Sequence, residues 1–424
     1  MKTAIRPVLL VSNSSWYLFH YRKLLIKKIK KKMLHILALA PIDSSSSKLS
    51  ELLIHIPWRM SRVQNQNIIS GLISFIRMLL IVRAIKPKLI HSHTLQANLI
   101  SSLVCSLFGI NCVLSFAGIG RFSNSKNVKK IIFFIIFKII CLFSSYQRSS
   151  KYCFKYNPRR SIFIFQNKED FDFINSNILG IKNINTSIIP GSGLPSNYID
   201  KKNLFLKNKF FLDTNQLKNT NKKLKLDFIY CARLLRSKGI LKFLKLSKIY
   251  SSHNFWVFGS IDNSSKDSIT DKNINIFKSK YKNVSFMNNK KDPLLNSKFD
   301  YPVLITPSIY GEGFPRGIIE ANALHIPVVS SINAANKISI KNLTYISKDD
   351  KVESYVLCIE KLLSDYKLGL LTKKLKDSRE KVINNFSEEL IVEQTLEIYK
   401  KLENENLSYL LTKDNDKIKN WIAK

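Results

Sequence analysis

Short apolar runs that end in polar or glycine residues, each followed by a segment of helical period, recur along this chain. The alternation confines it to α/β folds built on parallel sheets. The first unit is "RPVLLVS" (6–12), a buried-strand pattern closing on a loop, then "LFHYRKLLIKKIKKK" (18–32) with helical spacing, then a second strand, "LHILALAP" (34–41). "KPKLIHSHT" (86–94), the helix "QANLISSLVCSLFG" stopping at Gly109, "NCVLSFAGIG" (111–120) and "SIFIFQN" (161–167) continue the series. Asn167 is placed to cap a helix beginning "KEDFDF", with Asp170 at its third position. The pattern restarts at "LDFIYCARLL" (226–235) and runs on through "NFWVFGS", "NVSFMN" and "YPVLITPS". Between the two series, residues 200–226 are rich in Lys and Asn and weakly periodic. A chain of 424 residues has room for two ordinary domains. The expectation is a Rossmann-like domain over 1–195, a connection over 196–226, a second Rossmann-like domain over 227–390 and a charged helical tail over 391–424, with the two sheets facing across a cleft. Ligands of open parallel sheets bind beyond the carboxyl ends of the strands, and the polar loops lie at those ends.

The formal charge of +38 is unevenly spread. Residues 1–168 hold 27 Lys or Arg against two acids, Asp43 and Glu51, a formal +25. Lysine enrichment alone does not strip acids from one half, so this half is expected to face something anionic: a membrane surface, a phosphate-bearing substrate or nucleic acid. Six cysteines, Cys105, Cys112, Cys141, Cys153, Cys231 and Cys358, form no CxxC pair and no zinc spacing, and read as free thiols. The apolar run near the N-terminus is shorter than the roughly 7–15 residues of a secretory signal. "IIFFIIFKIICLF" (131–143) falls short of the roughly 20 residues that span a bilayer. It reads either as a buried helix or as a helix lying in the membrane interface, flanked by Lys126, Lys129 and Lys130.

The stretch "YGEGFPRGIIEANA" (310–323) concentrates the candidate chemistry. Pro315 suits the first turn of a helix, which places Glu312 before that helix and Glu320 about a turn and a half inside it. Amides around Gly313, Phe314 and Arg316 at such a helix start suit a phosphate, and the two carboxylates suit sugar hydroxyls. The plain reading is a strand–loop–helix corner with a solvated Glu312. In "YCARLLRSKGI" (230–240), Arg233 ends a strand and Lys238 precedes Gly239 and the next helix. Two fixed cations in one loop suit a diphosphate leaving group, or are ordinary surface charge. His91 and His93 alternate on one strand and share a face; nothing nearby completes a metal site, which leaves a hydrogen-bonded buried pair or a cleft role for His93. "DFD" (170–172) and "DND" (414–416) match a short metal-site pattern that arises easily by chance. "PGSGL" (190–194) is a turn whose glycines permit positive φ.

In this order, "HSHT", "SFAGIG", "IFQNKED", "IIPGSGL", "ARLLRSKGI" and "PSIYGEGFPRGIIEANA...IPVVSS" resemble the retaining glycosyltransferases of family 4, which are two-domain GT-B enzymes. The nearest likeness is to bacterial enzymes that extend lipid-linked sugars for O-antigen, capsule or N-linked glycans. "SNSSWYLFHYR" matches their opening strand followed by Trp and an "FR"-like pair, with Trp16 and Arg22 in place. The resemblance implies that Arg233 and Lys238 bind the donor diphosphate and that Glu320 holds the ribose. Glu312, with the amides of Gly313 and Phe314, would hold the transferred sugar, with Pro315 and Arg316 completing the donor turn. Ser14 and Ser15 would sit beneath the diphosphate, and Gly118, Gly120, His93 and Trp16 would lie on the acceptor side. Where many relatives carry a histidine after the fourth strand, this chain has Ala117.

The implied function is a retaining transfer from a nucleotide sugar, by preference a UDP-sugar, to an undecaprenyl diphosphate-linked glycan. The resemblance implies front-face attack stabilised by the two cations, with no cofactor and no divalent metal. The expected location is cytoplasmic, peripheral on the inner face of the membrane, through Lys27–Lys32 and the 131–143 helix. Two other classes compete: a GT-B nucleotide-sugar 2-epimerase, and a basic nucleic-acid-binding protein suggested by a pI near 9.9. Nucleic acid is not an expected partner of the transferase.

Overall fold

A strand with neighbours on both sides and helices on both faces must be apolar at every position, and β1 (Val8–Ser12) is buried along its whole length. The computed structural model describes residues 6–32, 35–60, 68–119, 127–145, 161–178, 184–200, 209–212, 224–263, 265–287, 292–296, 298–338 and 340–413. The chain divides into two units, one of residues 1–192 with 389–424 and one of residues 193–388.

In the first unit β1, β2 (Ile36–Ala40), β3 (Ile54–Pro57), β4 (Leu89–His93), β5 (Asn111–Phe116), β6 (Ser161–Phe165) and β7 (Asn185–Ile188) form one sheet in the order β3-β2-β1-β4-β5-β6-β7. Every pairing is parallel, and Ser12 lies opposite His93 where β1 meets β4. The sheet runs outward in both directions from that pair, so the β1/β4 junction is its topological switch point. The second unit repeats the plan. Its strands β8 (Asp227–Cys231), β9 (Asn254–Phe258), β10 (Val284–Met287), β11 (Pro302–Thr306), β12 (Val328–Ser330) and β13 (Tyr345–Ile346) lie in the order β10-β9-β8-β11-β12-β13, all parallel. Its switch point is the β8/β11 junction.

The helical segment expected over 18–32 is two helices, α1 (Ser15–Tyr21) and α2 (Lys23–Lys31), broken at Arg22, whose φ of −128° leaves the helical region. A long apolar helix that the periodic reading passed over, α3 (Ile68–Ile85), precedes β4, and α4 (Leu95–Phe108) ends on Gly109 at φ 64°. The 131–143 segment lies in α5 (Asn127–Ser145). Asn167 caps α6 (Lys168–Asn177) as expected, its side chain accepting from the Asp170 amide at 2.7 Å.

Odd and even residues of a strand face opposite sides, and this separates two segments that the charge argument joined. Leu9 and Val11 pack with Phe133, Phe137 and Ile140 of α5, whereas Val8 and Leu10 pack with Leu25, Ile26 and Ile29 of α2. Lys27–Lys32 and the apolar 131–143 helix therefore cover opposite faces of the sheet, and one flat surface does not take both. Helix α5 is buried on one face and bare on the other. Its Phe133, Phe137 and Ile140 are core, and Phe137→Ala would cost about 3–5 kcal/mol. Its Ile131, Ile132, Ile135 and Leu142 are more than half exposed. On α3, Ile69, Leu72, Ile73, Ile76 and Leu80 are 47–69% exposed. No helix among the described residues is long and apolar enough to cross a membrane.

The tail is also placed by packing. The C-terminal helix Glu388–Lys413 lays Ile391, Leu396, Ile398 and Tyr399 into the α2 side of the first unit's core. The described parts of the connection belong to the second unit, where Tyr198 and Phe210 are buried in its cores.

Candidate functional site

Two loops leave the switch point of the second sheet and are bonded to each other. After β8 the chain passes Arg233 and enters a single 3-10 turn, Arg236–Lys238, closed by Gly239 at φ 81°. A Cβ on Gly239 would stand 2.1 Å from the Pro307 carbonyl oxygen, so only glycine lets this corner lie against the loop after β11. That loop is held in return, since the Ile309 and Tyr310 amides both donate to the Ser237 carbonyl at 2.9 and 3.0 Å.

The result brings together three residues selected from sequence. Lys238 Nζ donates to Glu312 Oε1, and Ser308 Oγ donates to the same oxygen at 3.1 Å. The ammonium also stands 4.5 Å from the centre of the Tyr310 ring. The Arg233 guanidinium lies 5.8 Å from the centre of the same ring, with one nitrogen 3.5 Å from the Tyr310 hydroxyl and another donating to Asp262 at 2.5 Å. Burial opposes the arginine's charge, but Tyr310 and Asp262 outweigh it and hold its pKa above the ordinary value.

Glu320 sits inside α8 (Arg316–Ala323), and Arg316 Nε donates to its Oε1 at 2.6 Å across one turn. Burial raises the Glu320 carboxyl above its ordinary range, with Arg316 opposing and Asp292 adding to the rise. Cys231, beside it at the end of β8, is pushed up to about 12 by burial, then by Glu320 and Asp292. Two expectations need correction here. Pro315 is the residue before the helix rather than its first turn, and the Arg316 amide is taken by the Phe314 carbonyl at 2.9 Å. Gly311 and Gly313 keep ordinary φ; the left-handed glycine of this site is Gly239. Phe314 packs on Phe386, their ring centres 5.2 Å apart, which anchors the turn ahead of α8.

Of the first unit's candidates, Ser14, Ser15, Trp16 and His93 follow or end the strands of its own switch point, and Gly118 follows the neighbouring β5. Ser14 caps α1 by accepting from the Tyr17 amide and donates to Asp43 at 3.0 Å, and Asp43 also takes the Trp16 amide at 2.8 Å. Ser15 is fully buried and donates to the Pro41 carbonyl at 2.5 Å. Both hydroxyls thus hold the turn in shape. Trp16 is 38% exposed. His93 is fully buried, its ring centre 4.1 Å from that of His91 and 5.3 Å from that of Tyr17, both pairs tilted. Burial, then His91 and Arg22, hold its pKa well below the ordinary value. Gly118 turns at φ 76°, and the next amide, Ile119, donates to Asp170 at 3.2 Å. Asp170 of "DFD" is buried and supports that loop. Gly120, Lys126, Cys153 and "DND" lie outside the described residues. Among those residues no three His, Cys, Asp or Glu side chains gather to suit a metal ion, and the five described cysteines form no disulfide.

Sequence reasoning missed Tyr310, Ser308 and Asp262. Tyr310 stands two residues before Glu312, and Asp262 follows the glycine that ends β9, so each occupies a strand-end loop of the kind that was read. Their partnership with Lys238 and Arg233 has no local signal.

Residues 213–385, which lie within the second unit, match the family model described as Glycosyl transferases group 1. The chain is similar to the capsular polysaccharide biosynthesis glycosyltransferase CapM of Staphylococcus aureus, 28% identical over 200 residues. The match covers 45% of this chain and about half, 51%, of that relative. Two solved structures are similar in fold. Sucrose-phosphate synthase from Thermosynechococcus elongatus has a TM-score of 0.70 at 16% identity, over 94% of this chain and 100% of that one. Anabaena HepE in complex with UDP and glucose has a TM-score of 0.67 at 14% identity, over 93% and 99%. The fold is that of the two-domain GT-B proteins, with parallel sheets of seven and six strands.

Proposed function

We propose that this chain is a retaining glycosyltransferase that moves a sugar from a nucleotide sugar, a UDP-sugar, to a lipid-linked diphosphate glycan in surface-polysaccharide assembly. The observation that carries the reading is the gathering of Arg233, Lys238 and Glu312 at the switch point of the second sheet. Two cations fixed beside one aromatic ring suit a diphosphate, and fixed charge aimed at a leaving group is worth most in a partly buried site. The partners they hold here, Asp262 and Glu312, are carboxylates, which marks both as anion sites already shaped.

In this reading Arg233 and Lys238 take up the charge that grows on the departing diphosphate. The same diphosphate accepts the proton of the attacking hydroxyl on the face it leaves. Glu312 orients the transferred sugar, and Glu320, shielded within α8, accepts from the ribose hydroxyls. No residue forms a bond to the sugar, unlike the paired carboxylates of retaining glycosidases. The charge work is done by side chains, so no divalent metal is required. The match to a capsular polysaccharide enzyme and the UDP held by the HepE structure support the substrate class.

The acceptor is reached at the inner surface of the cytoplasmic membrane. Support comes from α3 and α5, which both carry bare apolar side chains and together contain no acidic residue.

The test is thermal unfolding of the purified chain with EDTA present, against UDP, GDP, UDP-sugars and GDP-mannose. A rise of several degrees with the uridine ligands, absent in Arg233→Ala and Glu320→Ala, is expected. A rise with guanosine ligands alone reassigns the donor, and turnover that EDTA abolishes and Mg²⁺ restores overturns the metal-independent mechanism.

A further inference from the structure

On the α2 side of the first sheet's switch point, three buried side chains hold hydrogen-bonding atoms with no partner among the described residues: Ser12 Oγ, Arg22 Nε and both ring nitrogens of His93. Ser12 and His93 are fully buried and Arg22 is 7% exposed. The three share one side of the sheet. Ser12 faces His93 across the β1/β4 pair, and their alternate neighbours Leu10 and Leu89 both belong to the core on the α2 side. Tyr17 links them, its hydroxyl accepting from Arg22 at 3.0 Å and its ring 5.3 Å from that of His93.

The contrast with His91 is informative. His91 is equally buried, yet its two nitrogens meet the Tyr399 hydroxyl at 2.6 Å and Ser115 Oγ at 2.8 Å. Arg22 has the Gly191 carbonyl at 3.4 Å and Tyr17, and no carboxylate pairs with it among the described residues. A buried cation without an anion costs several kcal/mol, and each unmet buried donor about 1–3 kcal/mol. Neutral His93 offers one N–H, Ser12 an O–H and Arg22 an N–H, three donors that an acceptor-only ligand meets; the second, unprotonated imidazole nitrogen is an acceptor and is not met by it. Asn13 adds an amide whose buried oxygen also lacks a partner, and an amide can turn either end to a ligand. The junction of β1 and β4 is where this topology places ligands.

We propose that Ser12, Arg22 and His93 form an oxyanion site in the first unit that takes a phosphoryl group of the acceptor. The acceptor as its source rests on the transferase reading; the oxyanion site does not. The donors are closed to solvent here, so bare anions bind weakly and a ligand that also engages the Asn13–Ser15 turn binds more tightly.

The experiment is imidazole NMR of the full chain in the Arg233→Ala background, with the His93 signals identified by their loss in His93→Gln. Inorganic pyrophosphate, farnesyl diphosphate and UDP are titrated separately. A saturable shift of the His93 signals by pyrophosphate, with those of His325 in the second unit unmoved, is expected. Arg22→Met abolishes it and Arg22→Lys weakens it several-fold. Farnesyl diphosphate acting at lower concentration than pyrophosphate supports the acceptor. UDP acting at the lowest concentration leaves the oxyanion site and overturns the acceptor assignment. His93 signals that stay still with all three ligands overturn the site and leave the cluster a structural role. Because the readout sits in the first unit, it stands whether or not the second unit binds a nucleotide.

Discussion

Lys238 donates to the Glu312 carboxylate across 74 positions of sequence, and the Ser308 hydroxyl meets the same oxygen at 3.1 Å. Both charged side chains are mostly shielded, at 12% and 17% exposure. Such a pair is costly to break from one side and cheap to remove whole.

Lys238→Met and Glu312→Gln alone should each lower stability by about 1–3 kcal/mol, and the double variant should recover most of the loss. Transfer should fall by about 10²–10³-fold in all three, because the diphosphate loses a fixed partner in two and the sugar its anchor in two. Urea unfolding and initial rates measure this. A double variant no more stable than the worse single one would show that the two side chains do not share an interaction.

Gly239→Ala should destabilise by at least about 1–2 kcal/mol, from its φ of 81° and the contact with Pro307, and should weaken nucleotide binding by displacing Lys238. Gly71→Ala, on α3 with nothing within 4 Å of the added carbon, should instead stabilise by up to about 1 kcal/mol. Equal effects at the two sites in chemical unfolding would refute the argument from the corner.

Arg233 is paired with Asp262, and on the transferase reading a donor diphosphate would compete for it. The pair is partly exposed, so releasing it should tighten UDP binding only a few-fold in Asp262→Asn. Calorimetric titration decides, and a clear loss of affinity would mean that Asp262 shapes the site rather than occupying it.

Glu320 is raised above its ordinary value of 4.5 by burial, so its charged form is the one the fold disfavours. Glu320→Gln should therefore unfold at a higher temperature than the parent near pH 7, and the advantage should fade as pH falls through 4.5, where both states of the parent are protonated. Nucleotide affinity should be lost in the same variant. A stability gap that stays constant between pH 7 and pH 4 would contradict the burial of its charge.

Vesicles of anionic lipid should retain the chain through α3 and α5. Ile73→Glu with Ile76→Glu, or Ile132→Glu with Ile135→Glu, should cut co-sedimentation by at least about tenfold. Lys27→Glu with Lys31→Glu, on the opposite face, should leave most of it. The reverse pattern would move the membrane-facing surface to α2.

Much of the architecture was legible because its signals are local. Strands of the buried kind announce themselves as apolar runs closing on polar residues, and "VLLVS", "LIHSH" and "DFIYC" are all observed strands. β3, β12 and β13 escaped notice because edge and very short strands are half exposed or brief and carry little pattern. Helix α3 escaped because an apolar helix bare on one side has no clean period to read.

The sequence by itself determined that the chain would build parallel sheets, that Asn167 would cap a helix, that Arg233, Lys238 and Glu312 would fall at strand-end turns, and that Glu320 would lie inside the helix that follows. Those outcomes depend on backbone preference and on spacing within a few residues. Only the tertiary structure decided that Lys238 meets Glu312, that Arg316 holds Glu320, that Tyr399 returns to His91, and that the basic and apolar segments of the first half lie on opposite faces of one sheet. Strand order and the alternation of side chains across a pleated sheet set which distant residues meet, and neither is written in the neighbourhood of any one residue.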